Sequence, residues 1–414
     1  MRSVDLIGEI KRMKNIQFSP PDITEAEISE VADALRSGWI TTGGRTKQFE
    51  KNIAQYIGTG KAACLNSDTA AMEMTLRVLG VGEGDEVITS AYTYTASAAV
   101  IEHVGAKIVL VDTEKETPEL NYTRLENAIT ERTKAVIPVD VAGMVCDYER
   151  INDIVEKKRV LFRPGSDIQK ALGRVCVIAD SAHGFGAKRE GIRSGNFADF
   201  TCFSFHAVKN LTTAEGGAVT WKSIEDFDDE EIYRLFMLYS LHGQSKDALS
   251  KTKPGSWEYD IVMPGFKCNM TDIQAAIGLK QLERYEDLLA RRREIYKLYE
   301  EELLGSGVDL LRHMDGKNVS SCHLMMARVG GADEKMRNAA IGKMAEYGVA
   351  TNVHYKPLPM FTAYKRLGFD IADYPNAFSL YENEITLPLH TKLTDDDVKY
   401  VCDSLIKSIK QVRL

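Results

Sequence analysis

Two residues near the middle of the chain, Asp180 and Lys209, have the types and surroundings needed for covalent chemistry at an aldehyde. Asp180 ends the apolar run 175–179, which predicts a buried parallel strand, and open α/β sheets bind ligands at the carboxyl ends of such strands. A carboxylate buried there needs a cationic partner. Lys209 follows the apolar segment 200–205, and an amine held among apolar groups can attack an aldehyde and form a Schiff base.

Pyridoxal phosphate (PLP) chemistry needs both groups, because a lysine bonds to the aldehyde and an acid keeps the ring nitrogen protonated. Lys209 itself is a second cation that Asp180 could hold. Taken singly, each residue also fits a structural role, with Lys209 as a solvated side chain and Asp180 as a helix cap. The two residues by themselves leave these interpretations open.

An anion site is predicted upstream, where a short strand at 62–65 is followed by the turn Asn66-Ser67-Asp68-Thr69 and a helix. The start of a helix presents free backbone N–H groups and the positive end of its dipole, and the two hydroxyls of this turn add further donors. Such a site suits a cofactor phosphate. A simple capped helix would produce the same pattern.

Three motifs resemble those of the PLP-dependent nucleotide-sugar aminotransferases of the DegT/StrS type. The family pattern is Asp-x-Ala-His/Gln, then Ser-Phe-His-x-x-Lys-Asn, then Glu-Gly-Gly. The matching residues here are Asp180-Ser181-Ala182-His183, Ser204-Phe205-His206-Ala207-Val208-Lys209-Asn210 and Glu215-Gly216-Gly217. Further similar blocks extend from about residue 39 to residue 390, so the resemblance covers nearly the whole chain.

The resemblance implies a role for each of these residues in a fold-type I PLP enzyme. Lys209 would bond to the aldehyde of PLP, Asp180 would hold the protonated ring nitrogen and His183 would contact the ring hydroxyl. The resemblance also implies that Ser204, Asp68 and Thr69 bind the phosphate. It further implies that Tyr94 stacks on the ring.

Asp68 departs from the commoner glycine of the family's Ser-Gly-Thr turn. A carboxylate beside a phosphate is unfavourable, so we expect the Asp68 side chain to point away from the phosphate, in a position to cap the helix.

The resemblance also implies a homodimer with shared active sites, to which Lys267 and Asn269 would contribute. In the family, a Gly-Tyr-Asn-Tyr-Arg loop reaches the cofactor phosphate or the substrate of the other subunit, and here Lys267 stands in place of its Asn and Asn269 in place of its Arg. A lysine brings a point charge to phosphate, whereas loss of the Arg removes a bidentate clamp for a carboxylate. A surface lysine in a structural loop is the alternative interpretation.

The activity implied by the resemblance is transfer of an amino group, from L-glutamate with formation of 2-oxoglutarate, to a keto carbon of a nucleotide-linked (deoxy) sugar for surface polysaccharide or glycan biosynthesis. A PLP-dependent sugar dehydratase is one alternative, although the relatives that dehydrate commonly have His in place of Lys209. A cyclitol aminotransferase of the aminoglycoside type is another. A non-catalytic regulator would have no reason to keep Lys209 together with Asp180.

The elements around these residues alternate between strand and helix, which predicts an α/β fold with a mainly parallel sheet. A helix is expected at 24–37, with Thr24 as N-cap and Glu27 completing a capping box. Thr271 would cap a long helical region, continuing to residue 304, that joins two domains. We therefore predict a large PLP-binding α/β domain at 1–285 and a small α+β domain at 286–414, with strand-like residues at 321–328.

Composition narrows the function classes. A formal charge of −8 and a pI near 5.6 argue against a nucleic-acid partner. No run of eighteen apolar residues and no signal-peptide pattern occurs, so neither a membrane span nor secretion is expected. The seven cysteines are scattered without zinc-type spacing, which predicts reduced thiols, a cytoplasmic location and no metal.

Overall fold

The computed structural model of the protein describes residues 14–246 and 258–413. Its helices are α1 Glu25–Arg36, α2 Gly44–Ile57, α3 Asp68–Val78, α4 Ala96–His103, α5 Tyr122–Ala128, α6 Tyr148–Lys157, α7 Asp167–Leu172, α8 Asp229–Ser240, α9 Asp272–Glu283, α10 Tyr285–Glu302, α11 Glu334–Glu346, α12 Thr362–Arg366, α13 Pro375–Glu382 and α14 Asp395–Val412. Its strands are β1 Ala62–Leu65, β2 Glu86–Ser90, β3 Lys107–Val111, β4 Thr133–Ile137, β5 Cys176–Asp180, β6 Lys188–Arg189, β7 Ile192–Arg193, β8 Phe200–Ser204, β9 Gly217–Trp221, β10 Val308–Leu310, β11 Asn318–Val319, β12 Met325–Val329 and β13 Glu384–Leu387.

The central sheet has seven strands in the order β1-β9-β8-β5-β4-β2-β3. The five strands from β8 to β3 are parallel, while β9 pairs antiparallel with both β8 and β1. This arrangement confirms the predicted α/β fold with a mainly parallel sheet. It also brings the carboxyl ends of β5, β8 and β4 to one edge, where Asp180 lies.

Strand β5 shows why the apolar run predicts its position. All five of its residues are buried. Ile178 packs into the hydrophobic cluster on one face of the sheet, and Val177 and Ala179 pack into the cluster on the other face. A strand covered on both faces needs apolar residues at successive positions, so Asp180 is the first polar group where the strand leaves the core.

The C-terminal part of the chain contains a three-stranded antiparallel sheet, β10-β12-β13, that shares a hydrophobic core with α10, α11 and α14. Helix α10 joins the two parts of the molecule. Its first residues, from Tyr285 to Leu289, pack with the helices of the large sheet, whereas Ile295 and Tyr299 belong to the C-terminal core. The division into domains at 285 and 286 stays a prediction.

The prediction of one long helix after Thr271 is wrong in one respect, because the structure has two helices, α9 and α10, that meet at Arg284. The backbone of Arg284 leaves the helical region, with φ −112° and ψ 13°. Its guanidinium donates to Glu27 Oε1 at 2.8 Å and to the Asp22 carbonyl at 2.6 Å. These bonds tie the break to the start of α1, where Thr24 and Glu27 form the predicted capping box.

The strand predicted at 321–328 begins only at Met325. Cys322 has a positive φ of 50°, which a strand does not accommodate, and the N–H groups of Ser321 and His323 donate to carbonyls of the turn at 142–143, after β4. Within the described part of the chain, not one helix combines the length and the apolar composition needed to cross a bilayer.

Candidate active site

A cavity of about 950 Å³ opens at the edge of the sheet where β5 and β8 end. Seven of the nine predicted site residues line it, namely Asp68, Thr69, Tyr94, Asp180, His183, Ser204 and Lys209. The other two, Lys267 and Asn269, do not contribute to its wall. The topology therefore gathers side chains from positions about 140 residues apart in the sequence, as the order of the strands requires.

The predicted anion site lies between β1 and α3. The Ser67 hydroxyl caps α3 by accepting from the Ala70 N–H at 3.0 Å, so the amides of the first turn face the cavity end of the helix. Behind the turn, a Cβ on Gly217 would come within 2.4 Å of the Asp68 nitrogen. Glycine at 217 is therefore required for the turn to lie against β9.

Asp180 is a buried carboxylate supported by hydrogen bonds. The Ser97 hydroxyl donates to its Oδ2 at 2.6 Å, and the Ala182 N–H donates to its Oδ1 at 3.2 Å. Burial raises the pKa of Asp180, and these two donors act against that rise by stabilising the charged form. Such a carboxylate can hold a cation that enters the cavity.

The expectation that Asp68 caps the helix is wrong, because Ser67 caps it. The Asp68 carboxyl is buried beside Asp180 and lines the cavity, and its direction relative to a bound phosphate stays a prediction. Its Oδ1 has no hydrogen-bond partner among the described residues. Burial, followed by the negative charge of Asp180, raises the pKa of Asp68 well above its usual range. The turn is thus shaped by Ser67 and Gly217, which leaves the Asp68 side chain available to the cavity.

Lys209 lies on the cavity wall between the acids and the histidines. Removal from bulk water lowers its pKa to about 8, while the charges of Asp68 and Asp180 act in the opposite direction. A fraction of its side chains therefore carries a free amine at neutral pH, as attack on an aldehyde requires.

His183 is neutral, and its tautomer follows from its contacts. Its Nδ1 accepts from the Ala142 N–H at 3.1 Å, so Nε2 carries the proton. That Nε2 lies 3.1 Å from the Tyr355 hydroxyl. Burial, followed by the charge of Lys209, lowers the pKa of His183 well below its usual range. His183 thus presents an N–H donor at the cavity.

Sequence reasoning missed the contacts that link this site to the C-terminal part of the chain. Asn210 donates to the Ser321 carbonyl at 2.8 Å, and its Oδ1 lies 2.9 Å from His323 Nδ1. The Ser321 hydroxyl donates to the His183 carbonyl at 2.5 Å. Nothing in the spacing of these residues predicts the contacts, because more than 100 positions separate the partners.

Aromatic rings form the outer wall. Tyr94 is 61% exposed, and its ring centroid lies 6.4 Å from that of Tyr355. Tyr355 also stacks near His183, at 6.2 Å between centroids. Tyr94 is therefore available for a flat ligand, and Tyr355 is a cavity residue whose role the sequence did not indicate.

Lys267 and Asn269 contact each other and the loop before α2. Lys267 Nζ bonds to Asn269 Oδ1, and the Asn269 amide bonds to the Thr42 hydroxyl. Lys267 is exposed, whereas Asn269 is buried.

Within residues 14–246 and 258–413, no group of three or more His, Cys, Asp or Glu side chains is arranged to hold a metal ion.

The residues present fit PLP. The N-terminus of α3 and the glycine-backed turn suit a phosphate. Asp180 suits a protonated ring nitrogen, and Lys209 suits the aldehyde. The fold and the site together define a fold-type I PLP-dependent aminotransferase.

The chain belongs to the DegT/DnrJ/EryC1/StrS aminotransferase family, whose profile matches residues 21–406. It is 36% identical over 411 residues to the spore coat polysaccharide biosynthesis protein SpsC of Bacillus subtilis, covering 97% of this chain and 98% of SpsC. Enzymes of this family use PLP, and the resemblance stated from the motifs is confirmed.

Solved structures give the same result. Spr1654 of Streptococcus pneumoniae in its PMP form, described as a sugar aminotransferase, matches with a TM-score of 0.94 and 56% identity, covering 96% of this chain and all of that one. PseC of Helicobacter pylori, an aminotransferase of pseudoaminic acid biosynthesis, matches with a TM-score of 0.84 and 27% identity, over 96% of this chain and all of PseC. This chain is accordingly a PLP-dependent aminotransferase of the family, and the proteins it resembles include sugar aminotransferases and a protein of polysaccharide biosynthesis.

Proposed function

We propose that the protein transfers an amino group from L-glutamate to a keto carbon of a nucleotide-linked deoxy sugar. The observation that carries this proposal is the outer end of the cavity. Lys356 lies there with its Nζ 5.2 Å from the ring centroid of Phe361, and both line the wall together with Tyr94. A cation beside exposed aromatic rings suits a diphosphate joined to a flat base.

Acidic side chains on the cavity wall support the proposal that Lys356 binds the diphosphate of the substrate. Asp180 and Glu215 also line the wall, so an anionic substrate meets repulsion unless a cation offsets it. Lys209 is needed for chemistry. Lys356 is the remaining lysine on the described cavity wall.

Within this proposal, PLP supplies an aldehyde for the amino group and a ring that accepts electrons while the proton moves. Asp180 would hold the ring nitrogen, and the amides of Asp68 and Thr69 with the Ser204 hydroxyl would bind the phosphate. The His183 Nε2–H would donate to the ring hydroxyl, and Tyr94 would contact the ring. Lys209 Nζ, as the free amine, accepts the proton from the carbon that loses the amino group.

The substrate proposal predicts a clear result in a screen of 3-keto and 4-keto nucleotide sugars with L-glutamate or L-glutamine as donor. We expect 2-oxoglutarate to form with at least one nucleotide-linked ketone and not with the free keto sugar. Lys356→Gln should raise KM for that substrate by about tenfold while changing kcat little, because one charged contact is worth about 1.5–3 kcal/mol at most.

Lys365→Gln is the matched control, since Lys365 lies near the same loop, on α12, and does not line the cavity. Equal turnover of the free and the nucleotide-linked sugar would contradict the nucleotide linkage. Turnover of a cyclitol ketone alone would favour the alternative substrate class.

We also propose that the reaction takes place in the cytoplasm, since all seven cysteines are free thiols.

We further propose that the active site is completed across a homodimer by Lys267 and Asn269 of the partner subunit. Exposed apolar side chains are concentrated just before this loop, at Ile261, Val262 and Phe266. Solvent-exposed apolar side chains clustered in six residues are typical of an interface. Within its own chain Lys267 is exposed and lies off the cavity wall, so its charge is available to a neighbouring subunit.

Subunit mixing tests this dimer. Lys209→Ala subunits and Lys267→Ala/Asn269→Ala subunits should each be inactive, and we expect their mixture to recover about a quarter of wild-type activity, because random pairing makes half of the dimers mixed and each mixed dimer has one intact site. A mixture of Lys209→Ala with Lys209→Ala/Lys267→Ala subunits is the control and should stay inactive. No recovery in the test mixture would show that each site is built within one chain.

A further inference from the structure

The carboxyls of Asp68 and Asp180 interact with each other on the cavity wall, beside Lys209. Both side chains are buried, with 7% of Asp68 and 4% of Asp180 exposed. Two carboxylates so close repel each other, and in such pairs one member keeps its proton. The question is which of the two acids carries the proton.

The hydrogen bonds assign the proton to Asp68. Asp180 accepts from the Ser97 hydroxyl and the Ala182 N–H, and both donors stabilise a negative charge. Asp68 Oδ1 is buried and accepts from none of the described residues. A carboxylate without donors is the costlier ion, so the proton stays on Asp68 and is donated to Asp180.

The charged and titratable groups around Asp68 agree with this assignment. Asp180 faces it from β5, Cys202 from β8 and Lys209 from the loop after β8. The pKa of Cys202 is raised well above its usual range by burial, so this thiol is neutral. Lys209 is the one cation acting on the pair within the described residues, and it is consumed when it bonds to an aldehyde.

We propose that Asp68 is a positioning residue that stays protonated, donates its proton to Asp180 and thereby fixes the carboxylate that faces the cofactor ring. As a neutral acid, Asp68 also adds no negative charge next to the phosphate-binding turn that it begins. The proposal rests on the role assigned to Asp180 above. It accounts for a carboxyl at a position where the family more commonly has glycine.

The first test measures the affinity of the apoenzyme for pyridoxamine phosphate against pH, because this form of the cofactor binds without a bond to Lys209. Above the pKa of Asp68, its negative charge would lie beside that of Asp180 and next to the phosphate-binding turn. We expect the affinity of wild type relative to Asp68→Asn to fall about tenfold for each further pH unit, since binding is then linked to one proton. At low pH the two proteins should bind equally.

Asp167→Asn is the matched control. Asp167 is the first residue of α7 after a capping serine, as Asp68 is the first residue of α3 after Ser67, but it is exposed and outside the cavity. The affinity of Asp167→Asn for pyridoxamine phosphate should depend on pH as that of wild type does. Asp68→Ser provides a second neutral variant in case Asp68→Asn does not fold. A wild-type affinity that already falls relative to either neutral variant below neutral pH would overturn the proposal, because Asp68 would then carry a charge there.

Infrared difference spectra test the proton directly and need no cofactor. Burial also raises the pKa of Glu50, Asp140 and Glu384, so the carboxylic acid band must be compared between proteins. We expect wild type to show one more carboxylic acid band than Asp68→Asn at neutral pH, and Asp167→Asn to match wild type. Carboxylic acid bands of equal intensity in wild type and Asp68→Asn would overturn the proposal that Asp68 is protonated. The infrared result does not depend on whether Asp180 holds the ring nitrogen, so the two proposals can fail separately.

Discussion

Substitution of Lys209 by alanine is expected to abolish transamination, with a loss of about 10³-fold or more. Both functions of the side chain disappear together, namely the nucleophilic amine that bonds to the aldehyde and the base that moves the proton. The measurements are turnover with L-glutamate and the visible absorbance of added PLP. The variant should show no absorbance of lysine-bound PLP, yet it should still bind pyridoxamine phosphate, because the phosphate turn and Asp180 remain.

Lys222→Ala is the control for this experiment. Lys222 is exposed just after β9, outside the cavity wall, and its backbone N–H donates to the Asp199 carbonyl, a bond that the substitution keeps. It should keep wild-type activity and absorbance. Transamination by Lys209→Ala at a near wild-type rate would show that another group carries the chemistry. Restoration of activity by a small external amine would support the assignment of Lys209 as the base.

The lysine and the strand-end acid could be predicted because their signals are local. The apolar run before Asp180 requires a strand that is buried on both faces, and β5 has that environment. The capped helix that begins after Ser67 likewise depends on neighbouring residues. Short-range rules of burial and capping therefore locate most of the cofactor cradle.

The contacts that complete the site depend on distant parts of the chain. Ser97 comes from α4, His323 from the segment before β12 and Tyr355 from the loop after α11, and each meets a residue more than 80 positions away. No periodicity or spacing in the sequence predicts these long-range contacts. The break at Arg284 has the same origin, since its partners lie at the start of the chain.

Asp68 shows how a reasonable local argument can be wrong. The expectation placed its carboxyl as a cap of α3, but Ser67 has that role. The Asp68 side chain is instead buried beside Asp180, and burial with that neighbouring charge raises its pKa. The error lay in the surroundings of the carboxyl, because Asp180 comes from a distant part of the chain.

Asp180→Asn is expected to leave cofactor binding nearly intact and to reduce kcat by about 10²-fold or more. Asparagine has the same shape, so its Oδ1 can still accept from Ser97 or from the Ala182 N–H. The negative charge is lost, however, and a neutral amide does not keep the ring nitrogen protonated, so the ring accepts electrons poorly while Lys209 removes the proton. The measurements are kcat and the absorbance of bound PLP in the same sample.

Asp112→Asn is the matched control, because Asp112 is also a fully buried acid immediately after a parallel strand, β3, but it accepts from the N–H groups of Asn376 and Ala377 and lies outside the cavity wall. That variant should lose thermal stability and keep its turnover per bound cofactor. If Asp180→Asn behaved in the same way, losing stability but not turnover, the charge of Asp180 would have only a structural role. A fall in kcat confined to Asp180→Asn, with the cofactor still bound, requires that this carboxylate acts on the ring during the reaction.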